Sequence, residues 1–223
     1  MSKKQIIFPD PNETDEEGLL CYGGDLQPDT LLNAYSLGIF PWYDDFNPIL
    51  WWSPPMRMIM KPSEMIVSKS LKALIRKNVF EVRFDGNFEA VIKKCAEVKR
   101  KNQKGTWITN EMIDAYITLH QLGYAHSVET YQNNELVGGL YGVSLGKAFF
   151  GESMFHLLNN ASKVAFYHLV KRLIKWDFHF IDAQQNTIHL SNLGAHEIER
   201  KDFLFLLNKT LEYDTICGNW GSM

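Results

Sequence analysis

The sequence is poor in cysteine and has no long apolar segment. Its three cysteines, Cys21, Cys95 and Cys217, are far apart, odd in number and outside any CxxC pair. This argues against a disulfide framework and favours a reducing compartment. No apolar run approaches the roughly 20 residues that span a bilayer, and acidic residues follow the N-terminus where a signal peptide would be apolar. We therefore expect a cytoplasmic protein.

The motifs of several enzyme classes are also missing. The chain has no P-loop and no GxGxxG turn, so nucleoside triphosphates and dinucleotides lack their usual cradle. Its seven histidines are scattered, with no HExxH, which argues against a metal site. GESMF at 151–155 resembles the GxSxG elbow of serine hydrolases, but Phe155 replaces the last glycine. Ser153, Asp182 and a later histidine follow a hydrolase order, yet the carboxylate and histidine are too close in sequence for that class to be favoured.

The patterns that are present predict an α+β fold with a mixed sheet. Prolines concentrate in residues 1–62, together with Gly23, Gly24 and Gly38, which predicts a small, loop-rich N-terminal domain. Residues 63–223 alternate between helical and strand periodicity and predict a larger catalytic domain. Two strands joined by Asn133 and Asn134 form a strong hairpin signal, followed by a third strand, a long amphipathic helix and the strand FHFID.

Polar residues at helix starts and glycines at helix ends predict several boundaries. Asp29 is expected to cap a short helix that Gly38 ends. Thr109 is expected to cap the helix that begins NEMIDAYI.

Basic residues in the middle of the chain predict a phosphate-binding surface. The net charge is -3, but the acidic residues cluster near the N-terminus. The predicted contacts are Arg76, Lys77, Lys93, Lys94, Lys99, Arg100, Lys101 and Lys104. Phosphate binding of this kind is salt-dependent and independent of sequence. The alternative is an ordinary solvated helix end, where cations are favoured by the helix dipole.

Tryptophans lie on both sides of this basic run. Trp42 and Trp107 stand in loop settings, where a ring can line a cleft and stack on an unpaired base. Of Trp51 and Trp52, at least one is expected to be a core residue, because large aromatic side chains dominate protein interiors.

Residues 179–186 read HFIDAQQN, an apolar run that ends in a carboxylate and two amides. Strand ends in α/β proteins often carry functional side chains. Alternation along a strand would put Asp182 and Gln184 on one face and Gln185 on the other. We therefore expect Asp182 and Gln184 to act together.

Ten short blocks, spread over nearly the whole chain, closely resemble one family. They are GGDL (23–26), GIFPWY (38–43), ILWWSP (49–54), GTWIT (105–109), GYAHSVE (123–129), LVGGLYGV (136–143), FFGESMF (149–155), NASK (160–163), FIDAQ (180–184) and LGAHEI (193–198). The family is the bacterial leucyl/phenylalanyl-tRNA protein transferases. The resemblance implies an acetyltransferase-like (GNAT-like) C-terminal domain behind a smaller N-terminal one. It also implies an enzyme that moves leucine or phenylalanine from aminoacyl-tRNA to an N-terminal arginine or lysine, marking the protein for degradation, without a metal or organic cofactor.

Matched to the family, individual residues take specific roles. Trp42, Trp107 and Tyr116 match aromatic positions around the terminal adenosine of the tRNA. The positions that match the aminoacyl pocket are Leu140, Phe149, Gly151, Met154, Phe166, Leu169 and Ile181. Leu140 and Leu169 stand where a relative has methionine and phenylalanine, so the preference between leucine and phenylalanine stays open.

Asp182 and Gln184 match the proposed catalytic pair of the family, and Glu152 lies at the mouth of the pocket. We hypothesise that Asp182 orients the acceptor α-amine and helps to deprotonate it, that Gln184 fixes this carboxylate and that Glu152 attracts the basic side chain of the acceptor. A salt bridge inside the sheet is the alternative role for Glu152. For the whole chain, the alternatives are another tRNA-dependent or CoA-dependent acyltransferase and a non-enzymatic tRNA-binding module.

Overall fold

The computed structural model describes residues 6–98 and 106–223. The strands are β1 Leu19–Tyr22, β2 Phe40–Pro41, β3 Leu50–Trp52, β4 Met56–Met60, β5 Glu81–Phe84, β6 Ala125–Gln132, β7 Glu135–Leu145, β8 Ala148–His156, β9 Phe180–Gln184 and β10 His196–Glu199. The helices are α1 Pro28–Ser36, α2 Lys69–Arg76, α3 Phe88–Glu97, α4 Asn110–Gln121, α5 Ala161–Lys175, α6 Ile188–Ser191 and α7 Arg200–Thr210. Short 3₁₀ turns occupy Pro62–Glu64 and Trp220–Ser222. Across the described ranges, no helix is long and apolar enough to cross a membrane.

A seven-stranded mixed sheet forms the centre of the molecule, in the order β10-β4-β9-β8-β7-β6-β5. Neighbouring strands are antiparallel except for β8 and β9, which run parallel. A parallel pair needs a crossover connection, and helix α5 lies in the segment that supplies it. This arrangement confirms the predicted α+β class with a mixed sheet, and the likeness to acetyltransferases stays a prediction.

The hairpin of β6 and β7 is confirmed at the predicted turn. Asn133 and Asn134 have positive φ angles of 52° and 65°. A two-residue hairpin turn of type I′ requires positive φ at both central positions, and asparagine tolerates it well. The turn therefore helps to set the register of these two neighbouring strands.

Alternate residues of the central strands pack into two different cores. Tyr141 and Val143 of β7 join a core that also contains residues of α1, α3, α4 and α7. Leu140 of the same strand joins a second core, which helix α5 covers. We call these two sides of the sheet the α3 face and the α5 face.

A three-stranded sheet in the order β1-β3-β2 forms most of the N-terminal region. Trp51 of β3 is 1% exposed, and its indole N–H donates to the carbonyl of Gly23 at 2.8 Å. This confirms that at least one tryptophan of the Trp51–Trp52 pair is a core residue. Strand β4, at Met56–Met60, already belongs to the large sheet. The domain boundary at residue 62 stays a prediction.

Helix starts follow capping chemistry, with one exception to the prediction. The Thr109 hydroxyl accepts a hydrogen bond from the N–H of Met112 at 3.2 Å, so its capping role is confirmed. The expected cap at Asp29 is wrong, because helix α1 begins at Pro28 with Gln27 in the capping position. Proline suits the first helical position, where no N–H is needed. Asp29 still lies in the first turn, near the positive end of the helix dipole.

Candidate active site

A cavity opens where strands β8 and β9 separate. Their parallel pairing ends at Phe150 and Asp182, although β8 continues to His156. Beyond the last pair lies a cavity of about 450 Å³. Its walls come from β7, β8, β9 and α5, from β2 and the residue after it, and from the segments before α4 and around α6. The cavity therefore lies at the carboxyl end of β9, a position where α/β sheets commonly bind ligands.

One half of the cavity is apolar. The structure places every residue predicted for an apolar pocket in its lining: Leu140, Phe149, Gly151, Met154, Phe166, Leu169 and Ile181. Most of these side chains belong to the core of the α5 face. A ligand side chain that enters this half would be shielded from water much as a core residue is. What the pocket binds stays a prediction at this point.

An aromatic rim borders the apolar half. Trp42 and Trp107, predicted from their loop settings, both line the cavity and are half-buried. The Trp42 ring packs edge-on against Trp52 at 5.6 Å, and the Trp52 indole N–H donates to the Trp42 carbonyl at 2.7 Å. Trp42 is thus held in place at the border of the cavity. Tyr116 is fully buried and does not line the cavity.

Glu152 is the polar centre of the cavity. Its Oε1 accepts hydrogen bonds from the Tyr35 hydroxyl at 2.7 Å and from the Gln184 amide at 3.2 Å. Its Oε2 accepts from the Tyr116 hydroxyl at 3.2 Å, and the two phenols also contact each other. Burial raises the pKa of Glu152 to about 7, while the hydrogen bonds from both tyrosines oppose this rise. Glu152 can therefore change its charge near neutral pH.

The two phenols that hold Glu152 stay protonated. Burial, together with the nearby Glu152 charge, raises the pKa of Tyr35 and of Tyr116 well above the usual value of a phenol. A protonated phenol donates a hydrogen bond, which favours the ionised form of the carboxylate that accepts it. Helices α1 and α4 thus each supply one donor to Glu152 from the α3 face.

Asp182 lies beneath the cavity and is fully buried. Its two oxygens accept hydrogen bonds from Arg57, from Nε at 2.9 Å and from Nη2 at 2.7 Å. The Arg57 guanidinium is also buried, and it lies against the rings of Phe40 and Phe203 at 4.7 and 4.5 Å. Asp182 therefore pairs with an arginine rather than a histidine, which removes the serine hydrolase triad. It does not line the cavity.

Gln184 ends strand β9 in a left-handed conformation with φ of 56°. This costs a residue other than glycine about 1–2 kcal/mol. A hydrogen bond from its own N–H to Oδ1 of Asp182, at 2.9 Å, helps to stabilise the turn. The strand alternation expected from the sequence stops here, and Gln184 and Gln185 both line the cavity.

These contacts join six residues into one polar group, which we call the site network: Arg57, Asp182, Gln184, Glu152, Tyr35 and Tyr116. Sequence reasoning missed Arg57 and Tyr35. Arg57 is the only charged residue in the strand MRMIM, and a charge in a buried strand signals a buried partner. Tyr35 lies on the buried side of α1 and carried no comparable signal.

The predicted basic residues do not form one surface. Arg76 and Lys77 lie at the end of α2, which packs with α5 on the α5 face. Lys93 and Lys94 lie on α3, across the sheet, and pair with Glu89 at 2.5 Å and Glu97 at 2.8 Å. The remaining predicted contacts fall outside the described residues: Lys99, Arg100, Lys101 and Lys104.

The cavity combines three kinds of surface that suit one class of ligand. The apolar half fits an uncharged side chain, Glu152 can attract a cationic amine, and the tryptophan rim can stack on a planar ring. An amino acid linked to a nucleotide would present these three features together. Within the described chain, no group of three or more His, Cys, Asp or Glu residues could hold a metal ion.

Comparison with known proteins gives one consistent result. A family model described as leucyl/phenylalanyl-tRNA protein transferase matches residues 59–208, and a model of the N-terminal domain of the same transferase matches residues 24–55. A leucyl/phenylalanyl-tRNA protein transferase of Legionella pneumophila (strain Corby) is 53% identical over 96% of this chain and 95% of its own. A transferase of the same name from Desulfatibacillum aliphaticivorans is 54% identical over 96% of this chain and 92% of its own. The one from Thermodesulfovibrio yellowstonii is 52% identical over 97% of this chain and 88% of its own.

Solved structures resemble the chain only weakly. A functionally unknown conserved protein from Staphylococcus epidermidis aligns with a TM-score of 0.43 and 12% identity, covering 81% of this chain and 68% of that one. A likeness at this level carries no argument about the site or its chemistry.

Proposed function

The chain belongs to the leucyl/phenylalanyl-tRNA protein transferase family, and we propose that aminoacyl transfer takes place in the cavity between β8 and β9. The activity of the chain is the transfer of leucine or phenylalanine from aminoacyl-tRNA to a protein. The single observation that carries the assignment to this cavity is Glu152, a carboxylate held between an apolar pocket and an aromatic rim. Because its substrate is aminoacyl-tRNA, we place the reaction in the cytoplasm.

The aminoacyl group occupies the cavity in a defined orientation in this proposal. Its leucine or phenylalanine side chain enters the apolar half, between Phe149, Phe166 and Leu169. The terminal adenosine stacks at the rim on Trp42 and Trp107, where each stacked base gains about 1–3 kcal/mol. The ester carbon then lies between these two parts, close to Glu152. Tyr116 supports this arrangement from below through its hydrogen bond to Glu152.

The acceptor protein approaches with its N-terminal amine toward Glu152 and Gln184. A carboxylate attracts the cationic amine, and the neighbouring amide can direct it toward the ester carbon. We propose an N-terminal arginine or lysine, because a basic side chain adds a second positive charge that Glu152 favours. Transfer to such an N-terminus marks the acceptor for degradation. The proposed role of Asp182 is to hold Gln184 in place, since both its oxygens are bound by Arg57.

Alignment supplies most of the rate enhancement in this reaction. An α-amine has a pKa of roughly 8, so making it neutral at pH 7 costs only about 1–1.5 kcal/mol. Holding an amine against an ester in the right geometry can lower the barrier by about 7–11 kcal/mol. The ester is already activated, so the site needs no strong base. A half-buried carboxylate and an amide are sufficient for the task.

The phosphates of the tRNA contact the α5 face in this proposal. Arg76 and Lys77 are exposed at the end of α2 and, within residues 6–98 and 106–223, take part in no ion pair. Helix α5, beside α2, contains lysines and an arginine but no acidic residue. A cation without a carboxylate partner has no ion pair to give up when it binds a phosphate, so its binding costs less free energy. The α5 face is therefore a better candidate for the phosphate-binding surface than α3.

A transfer assay tests the proposal. Leucyl-tRNA labelled in the amino acid is incubated with the protein and with peptides that begin with arginine, lysine or alanine. We expect transfer to the first two peptides only, and we expect Glu152→Gln to reduce it about 10²-fold. Equal transfer to all three peptides would disprove the acceptor preference. Binding of tRNA without any transfer would favour the tRNA-binding module instead.

A further inference from the structure

The C-terminal segment 215–223 lies beyond the part of the chain that the family model matches, which ends at residue 208. Although it is close to the chain end, this segment contains a fully buried tryptophan, Trp220. The 3₁₀ turn at Trp220–Ser222 packs against strand β5 at one edge of the large sheet.

Hydrogen bonds and a stacked ring hold Trp220 in place. Its N–H donates to Oδ2 of Asp85 at 2.7 Å, and its indole N–H donates to the Ile216 carbonyl at 3.1 Å. The Arg172 guanidinium donates to its carbonyl, and the His126 ring stacks on the indole at 3.7 Å. The backbone and the ring of Trp220 are therefore both fixed by the folded protein.

The indole of Trp220 reaches the back of the apolar pocket. Its ring lies 5.9 Å from the ring of Phe149, between centroids, and Phe149 lines the cavity. Trp220 also belongs to the same core as Leu140, Phe166 and Leu169, which form other parts of the pocket wall. Trp220, which follows the residues that the family model matches, thus contributes to the layer directly behind the proposed aminoacyl site.

Phe149 is confined on a second side by a glycine. A Cβ atom on Gly142 would lie 2.7 Å from two ring carbons of Phe149, so the ring already packs closely against the bare backbone. Because the ring has no room toward Gly142, Trp220 is a further neighbour that limits how far it can move away from the cavity. Protein interiors are close-packed, so a change in the size of the residue at position 220 should shift its neighbours.

We propose that Trp220 is a specificity-determining residue of the transfer reaction, because it supports Phe149 from behind and so sets the depth of the aminoacyl pocket. This inference rests on the proposed assignment of the apolar half of the cavity to the amino acid side chain. A smaller ring at position 220 lets Phe149 move back and deepens the pocket. The deeper pocket favours the longer phenylalanine side chain over leucine.

The test compares two matched substitutions. Trp220→Phe and Trp51→Phe each shorten a buried tryptophan whose indole N–H donates to a backbone carbonyl. Trp51 does not line the cavity. For both variants, kcat/KM is measured with leucyl-tRNA and phenylalanyl-tRNA and one arginine-initiated peptide. We expect the ratio of kcat/KM for phenylalanyl-tRNA to kcat/KM for leucyl-tRNA to rise about threefold or more in Trp220→Phe. The increase should stay below the roughly 10-fold effect that one methylene group has in an apolar pocket. The ratio should stay within about twofold of the original in Trp51→Phe, because that indole packs against Phe8 in the core of the α3 face.

A third variant, Leu169→Ala, separates the role of Trp220 from the assignment of the apolar pocket to the amino acid side chain. Leu169 lines the cavity directly, so its truncation changes the ratio if the pocket assignment is right. A change in Leu169→Ala with none in Trp220→Phe would overturn the role of Trp220 alone. No change in either would overturn the pocket assignment itself, and an equal change in Trp51→Phe would show a general effect of reduced stability. Trp220→Tyr keeps more ring volume and should shift the ratio in the same direction by less, which preserves the test if Trp220→Phe does not fold.

Discussion

A carboxylate whose pKa is raised by burial occurs in two regions of the sheet. Glu152 is half-buried and lines the cavity, and burial raises its pKa to about 7. Glu129 is fully buried near the β5 edge, where it accepts hydrogen bonds from the Ser127 hydroxyl and from the N–H groups of Gly86 and Asn87. Burial raises its pKa as well. A ligand can reach Glu152, whereas protein groups enclose Glu129.

Asp182 and Asp85, the buried aspartates in the same two regions, differ in the partners that bind their carboxylates. Asp182 is paired with the Arg57 cation, and it holds the backbone of Gln184. Asp85 accepts hydrogen bonds from the ring of His126 and from two backbone N–H groups. We call the second group the edge network: Asp85, His126, Ser127 and Glu129. A raised carboxylate pKa therefore shows that the group is buried. It indicates a functional site only where a cavity also gives a ligand access to the carboxylate.

The largest expected effect comes from removing the cation of the site network. Arg57→Met leaves the Asp182 charge buried without its partner, which should lower the free energy of unfolding by about 3–5 kcal/mol. In the edge network, Asp85→Asn removes hydrogen bonds to uncharged donors and should cost about 1–3 kcal/mol. Urea denaturation of both variants measures the difference.

A double variant shows whether the unpaired charge causes this destabilisation. Replacing a buried ion pair by apolar residues is often neutral or stabilising, so Arg57→Met combined with Asp182→Leu should recover most of the stability. It should not recover transfer, because the backbone N–H of Gln184 then has no Asp182 oxygen to bind. If the single and double variants were equally unstable, poorer packing rather than charge would explain the result.

The second largest effect distinguishes the two glutamates by function. Glu152→Gln should lower kcat/KM for transfer about 10²-fold, because the acceptor amine loses the group that positions it. Glu129→Gln removes a buried carboxylate at a closed position, and it should leave kcat/KM of the folded protein within about twofold of the original, as expected for a distant site. The measurement is the transfer rate with leucyl-tRNA, corrected for the folded fraction. A comparable decrease in both variants would remove the distinction between an open and a closed carboxylate.

Local patterns account for the parts that could be predicted from the sequence. The Asn133–Asn134 turn and the cap at Thr109 depend on residues a few positions apart, and both are confirmed. The residues predicted for the apolar pocket also line one cavity, since they fall on neighbouring strands and on α5. Their binding roles stay predictions.

Long-range contacts along the chain account for what could not be predicted. Arg57 and Asp182 are 125 positions apart, and Tyr35 meets Glu152 across 117. Neither periodicity nor spacing contains that information. The left-handed backbone at Gln184 likewise depends on the Asp182 side chain, so simple alternation along β9 could not place Gln184 and Gln185.

The pH dependence of transfer also distinguishes Glu152 from Glu129. The acceptor amine must be neutral to react and has a pKa of roughly 8, so the rate rises with pH in every variant. If the ionised form of Glu152 holds this amine, the unsubstituted protein should show an additional rise through about 7, by about tenfold for each unit below that value. This step should disappear in Glu152→Gln and persist in Glu129→Gln. A pH–rate profile from about pH 5.5 to about pH 8.5 with one peptide tests it, since this window spans the expected step. An unchanged step in Glu152→Gln would assign the titration to another group.

The stability of the folded protein should depend on two of these groups with opposite signs. The pKa of Glu152 is higher in the folded than in the unfolded chain, so its contribution to stability disappears as pH rises from about 4.5 to about 7. Burial lowers the pKa of His126 below its usual 6.5, so its contribution disappears as pH falls below that value. Unfolding free energies measured from about pH 5 to about pH 8 check both signs. Glu152→Gln should weaken the decrease in unfolding free energy as pH rises. His126→Phe should weaken the decrease in unfolding free energy as pH falls.

The smallest expected effect concerns surface cations, which differ in whether they already have an ion-pair partner. Arg76 and Lys77 take part in no ion pair among the described residues, whereas Lys93 and Lys94 each pair with a glutamate. Replacing Arg76 and Lys77 together by serine should reduce the slope of log affinity against log salt by about one for each phosphate that the variant no longer binds. Replacing Lys93 and Lys94 by serine should leave the slope unchanged, because their charges are already compensated. Titration of leucyl-tRNA binding at several salt concentrations measures both slopes, and a larger change in the second variant would move the phosphate-binding surface to the α3 face.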